Sequence, residues 1–169
     1  MIERAPMGLA ESARRRDLVE LRIANLRREL DAETEPRAQA AILYQVGTLY
    51  EHELEQRSEA MEQYERASAV APGFQPALIA RLRIAERSED GYDLTALRSE
   101  QVARATSSAV SSAALVELAI HSEDWASLLR ESISRSLEPA VPALILEWLA
   151  EARGDDGAVR EALLAQAEY

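Results

Sequence analysis

Between Ala40 and Pro76 the chain reads AAILYQVGTLYEHELEQRSEAMEQYERASAVAPGFQP, and no other stretch limits the possible folds so tightly. Leu43, Val46, Gly47 and Tyr50 recur at helical spacing, and a second helical run carries Ala60, Tyr64 and Ala67 before Pro72 stops it. Gly47, Ala60 and Ala67 mark places where two helices approach too closely for a large side chain, and Tyr50 and Tyr64 fill the gaps beside them. The spacing predicts two amphipathic helices packed back to back.

This pattern resembles a tetratricopeptide repeat, in which a large residue, Leu-Gly and Tyr on a first helix are followed by Ala, an aromatic, Ala and Pro on a second. Leu43 stands where the family usually has Trp, Val46 and Gly47 match the apolar-small pair, and Tyr50 follows three residues later. Ala60, Tyr64, Ala67 and Pro72 match the second helix, with one extra residue in the turn between Glu53 and Ser58.

Composition sets the outer limits. A chain of 169 residues suits one domain, residues 1–169, and 47% apolar residues can bury a core. Aromatics are only 5%, so that core must be mostly Ala, Leu and Ile. The net charge of −11 and a pI near 4.7 set a repelling field against nucleic acid and anionic membranes, and favour basic partners. Without cysteine there is no disulfide and no thiolate metal site. The N-terminus lacks a hydrophobic run for export, and no apolar stretch of about 18 residues occurs. The expected location is cytoplasmic, with no membrane insertion.

Residues 1–8 are expected to be loose, with Pro6 and Gly8 interrupting any helix, before an N-terminal helix over residues 9–34. Val19, Ile23, Leu26 and Leu30 form its apolar stripe. Through Leu30 the chain carries a net +2 and thereafter −13. The Arg14, Arg15, Arg16 cluster is the one basic patch, read as a solvated or ion-paired face rather than a nucleic-acid contact. Pro36 is expected to close this helix, which is either half of a degenerate first repeat or a capping helix.

Beyond the best-matched repeat, residues 38–72, three degenerate repeats are expected over 75–106, 108–138 and 141–169. Leu78, Leu82 and Ala85 form the first stripe, ERSEDG breaks it, and Tyr92, Leu94, Leu97 and Val102 follow. Val110, Ala114 and Leu118 form the next, Ser122 is expected to cap its partner, and Trp125, Leu128, Leu129, Ile133 and Leu137 run to Pro139. Ile145, Leu149 and Ala152 follow Pro139 at the offsets at which Leu78, Leu82 and Ala85 follow Pro72, which predicts matching buried faces. The last hairpin turns at Gly154–Gly157 and ends with Val159, Ala162 and Leu163. Stopping at Tyr169 without a further polar helix is expected to leave an open stacking end, for a partner or for more chain.

The resemblance implies an all-α fold: a right-handed α-α superhelix, a TPR-like solenoid of about four helical hairpins preceded by an N-terminal helix. It also implies a concave groove, lined by first helices, that holds a segment of a partner protein. Carried onto the clear register, the groove residues are Tyr44, Thr48, Glu51 and His52 on one helix and Ile79, Arg83, Glu86 and Arg87 on the next. Tyr44 and Ile79 offer apolar contact, and Arg83 with Arg87, four apart, fork onto a carboxylate. The Lys and Asn set with which some members clamp a C-terminal carboxylate is absent.

The sequence holds no phosphate-binding glycine loop, nucleophile elbow or Cys-His pair, so no catalytic residue, cofactor or metal ligand is assigned. His52 and His121 each lie among carboxylates. Glu117 and His121, four apart, have metal-ligand spacing, but such pairs are common on helix surfaces. Two function classes remain. The first is a non-catalytic interaction module (adaptor, scaffold or small chaperone) for a protein or peptide partner. The second is a structural homo-oligomer built through the N-terminal helix or the C-terminal end.

Overall fold

The computed structural model describes residues 7–87 and 92–168, with side chains from residue 11 onward. All regular structure among the described residues is helical. No helix there is long and apolar enough to cross a membrane. The chain divides into two compact units, Met1–Asp90 and Gly91–Tyr169, whose boundary falls in the ERSEDG segment.

Unit 1 holds α1 (Met7–Ala32), α2 (Pro36–His52), α3 (Arg57–Val70) and α4 (Gln75–Arg87). Helix α1 starts before Gly8, so this glycine does not interrupt it; Pro6 lies outside the described residues. Pro36 opens α2 instead of closing α1. Its missing N–H falls in the first turn, where no helical partner exists, and the Glu35 carboxylate accepts from the next two free amides, Arg37 N and Ala38 N.

The stripe of α1 finds its cover on α2. Val19, Ile23 and Leu26 pack with Ile42 and Val46, while Leu30 and Tyr50 close the edges. Leu43 points the other way, joining Ala40, Ala67 and Ala77 from α2, α3 and α4. Small residues set the α2–α3 distance. A Cβ on Gly47 would lie 2.5 Å from Cε1 of the fully buried Tyr64, so the ring occupies the space that the missing side chain leaves. The extra turn residue is absorbed by Glu55, which takes the left-handed conformation at φ 56. Pro72 and Gly73 form the next turn, closed by Phe74 N donating to Ala71 O at 2.8 Å.

Unit 2 holds α5 (Leu94–Ala103), α6 (Ser108–Ile120), α7 (Trp125–Arg135), α8 (Ala140–Arg153) and α9 (Asp156–Ala167). Its core gathers Ala119, Trp125, Leu129, Leu146, Leu149, Ala150, Ala158 and Ala162. Ser112 and Ser132, both buried, bind reciprocally between α6 and α7, each hydroxyl reaching the other's carbonyl at 3.1 and 2.9 Å. The guanidinium of Arg153 lies 4.9 Å from the Trp125 ring centroid.

Several sequence expectations shift here. Asp124, not Ser122, holds the N-cap position of α7, without a capping hydrogen bond from its side chain, and Ser122 Oγ accepts from Asp124 N at 3.1 Å. Leu137 lies beyond the end of α7 and is exposed, as are Val110 and Leu163. The echo across 67 residues does not carry over to burial: Leu78, Leu82 and Ala85 are all buried, whereas Ile145 is only partly buried and Ala152 is exposed. The cause is the helix starts. Two residues, Gly73 and Phe74, separate Pro72 from α4, but α8 begins directly after Pro139, so its phase is advanced by two residues.

Candidate functional site

All eight groove residues expected from the sequence fall on α2 and α4 in unit 1, and these two helices lie in contact. Tyr44, Thr48 and Glu51 follow at i, i+4 and i+7, which places them on one side of α2. Ile79, Arg83 and Glu86 repeat that spacing on α4, with Arg87 beside them.

The two helices are tied together at the centre of this face. Arg83 Nε donates to Glu51 Oε1 at 3.1 Å and Arg83 Nη2 donates to Oε2, a bidentate fork. The Tyr64 hydroxyl, rising from α3, donates to the same Oε2 at 2.8 Å. Thr48 Oγ1 lies 3.5 Å from that phenol oxygen and itself donates to the Tyr44 carbonyl at 3.0 Å. The carboxylate on which Arg83 forks is therefore the chain's own.

Electrostatics follow from this geometry. Burial pushes the Glu51 carboxyl upward, but hydrogen bonds from Arg83 and Tyr64, with the charge of Arg83, outweigh it and hold the pKa below the usual 4.5. The Arg83 guanidinium is raised, first by its bond to Glu51. The Tyr64 phenol is raised too, first by burial and then by the adjacent carboxylate. The centre is a fixed, internally neutralised pair.

Apolar surface surrounds it. The Tyr44 ring lies 5.4 Å from Tyr64 and meets Phe74 edge-on at 5.9 Å. Ile79 is 56% exposed, an aliphatic side chain left in water on the same side of α4 as Arg83. His52, Glu86 and Arg87 are exposed toward the helix ends, and His52 Nε2 stands 3.8 Å from Glu51 Oε2. Phe74 was not singled out by the sequence, because it sits in a turn outside any helical stripe.

The repeat-signature residues have separate tasks. Leu43, Val46, Gly47, Ala60, Tyr64 and Ala67 are buried, Pro72 is in an exposed turn, and Tyr50 faces α1, where it accepts from Arg27 Nη2 at 2.9 Å. Of the basic cluster, Arg15 pairs with Glu53 at 2.7 Å and Arg16 with Glu20 at 3.1 Å. Glu117 pairs with Arg98 at 3.4 Å, and His121 is the C-cap of α6. Among the described residues, no three His, Asp or Glu side chains gather in a way that holds a metal.

Compared with known proteins, the chain matches no family model, no curated protein sequence and no solved structure.

Proposed function

We propose that this chain is a non-catalytic protein-interaction module of TPR-like construction, working in the cytoplasm as an adaptor, scaffold or small chaperone. The observation that carries this reading is the shared α2–α4 face, where an internally neutralised Glu51–Arg83 pair lies beside half-buried Tyr44 and exposed Ile79. A partner segment meeting this face finds an aromatic and aliphatic surface whose central charges need no further counterion. Arg83 positions the face, and the role of reading a partner carboxylate passes to Arg87, which makes no ion pair among the described residues.

The repeat signature supports the same reading. Small residues bring α2 onto α3 and α4, so that first helices lie side by side, as in the superhelix that the resemblance implies. The test is affinity capture with the tagged chain from a lysate of its own cells, beside a chain carrying Ile79→Glu and Arg87→Glu. One protein enriched by the first and lost by the second is the expected result. An unchanged set of captured proteins overturns the α2–α4 face as the binding surface.

A further inference from the structure

Unit 1 holds a cavity that the α2–α4 face does not use. Helices α1 and α3 both pack on α2 but scarcely touch one another, and the space of about 340 Å³ left between them has Leu30, Leu43 and Val46 as its apolar lining. That is the size of a small-molecule site. A buried donor stands in it. Gln63 on α3 is 3% exposed, and its Oε1 accepts from Arg66 Nη1 at 3.1 Å. A guanidinium can only donate, so the amide oxygen must face Arg66 and the nitrogen must turn away from it. Nε2 carries two N–H groups and meets no acceptor among the described residues. It is not sealed inside the core, and the opening at this residue is the cavity. A buried donor left without an acceptor costs stability, so its presence here calls for an acceptor that arrives from outside.

Two more donors line the same cavity. The Tyr50 hydroxyl accepts from Arg27 Nη2 at 2.9 Å, which leaves its own O–H for another acceptor, and the Arg27 guanidinium has further N–H groups to give. Carboxylates complete the lining: Asp31 from α1, with Glu59 and Glu62 from α3, all exposed and none of them ion-paired among the described residues. Two arginines, Arg27 and Arg66, against these three acids leave the lining at a net −1. A simple anion would be drawn to the donors and repelled by three carboxylates, whereas a simple cation would leave the buried amide unpaired. A molecule that carries both charges answers both sets.

We propose that this cavity binds a small aliphatic zwitterion, a free amino acid or a short peptide. Its carboxylate accepts from Gln63 Nε2, Tyr50 Oη and Arg27, its ammonium group lies toward Asp31, Glu59 and Glu62, and its hydrocarbon body rests on Leu30, Leu43 and Val46. The site is separate from the α2–α4 face, so neither reading depends on the other.

The test is titration calorimetry of the full chain with L-leucine and with leucyl-leucine. At least one is expected to give saturable heat, and the tighter of the two tells a free amino acid from a peptide. Isocaproate, which lacks the ammonium group, and isopentylamine, which lacks the carboxylate, are each expected to bind about tenfold or more weakly than leucine. Gln63→Met keeps length and burial but removes the donor, and is expected to weaken binding by about tenfold or more with a melting midpoint no lower than the parent chain's. Tyr50→Phe makes the same test at the second donor should Gln63→Met fail to fold. Absence of heat with both zwitterions, equal binding of isocaproate or isopentylamine, or undiminished binding in these variants overturns the proposal.

Discussion

Arg83 and Glu51 meet across the α2–α4 contact as a two-pronged fork, although 32 residues separate them in the chain. Tyr64 donates to the same carboxylate from α3, so three helices converge on one side chain. Replacing Glu51 by Gln keeps the shape and removes the charge. The expected loss is about 1 kcal/mol, below the full value of a charged hydrogen bond because Arg83 is partly in water. Arg83→Met should cost a similar amount, and the double variant less than the sum, as read from urea denaturation. Costs that simply add contradict a coupled pair.

Acid should act on the same carboxylate. Its folded pKa lies below the usual 4.5, so its stabilisation is complete above that value and disappears as pH falls through the folded pKa. Glu33 has the same sign, lowered by amide donors at Glu35 and Thr34. The melting midpoint should decline with falling pH below 4.5, and Glu51→Gln should make that decline shallower. An equally steep decline in the variant removes Glu51 from the account.

Gly47→Ala gives a test in which two effects have opposite signs. Helix propensity favours alanine by roughly 1 kcal/mol. The new methyl, however, meets the Tyr64 ring at 2.5 Å, and that ring is held by Tyr44 on one side and its bond to Glu51 on the other. Overpacking of this kind costs about 1 to 3 kcal/mol, so the net change is destabilising. A raised melting midpoint means that Tyr64 moves aside freely.

These contacts separate what the sequence made legible from what it did not. Gly47, Ala60, Tyr64 and Ala67 were readable because close helix packing leaves small residues at fixed spacing, and the α1 stripe was readable because only one of its faces is covered. The partner of Arg83 was hidden, since local periodicity carries no information about a residue 32 positions away. The buried face of α8 was misphased because a proline marks a helix start only to within the length of the turn that follows it. Leu144 and Trp148 consequently went unread as surface residues, and no pattern announced the unit boundary beyond the break at ERSEDG.

Glu55 carries strain that a single substitution relieves. A side chain at φ 56 costs roughly 1 to 2 kcal/mol, while glycine adds unfolded-state entropy of about 0.4 to 1 kcal/mol. Glu55→Gly should therefore raise stability by up to about 1.6 kcal/mol in thermal or urea melts. A loss of stability contradicts the strained turn.

The most direct test of the interaction reading is a photo-reactive benzoylphenylalanine placed at Ile79 and irradiated in the chain's own cells. One discrete adduct, lost when Tyr44→Ala and Arg87→Glu are added, is the predicted result. A pattern indistinguishable from that of the same group at Glu65, an exposed position on α3, contradicts the α2–α4 face as a binding surface.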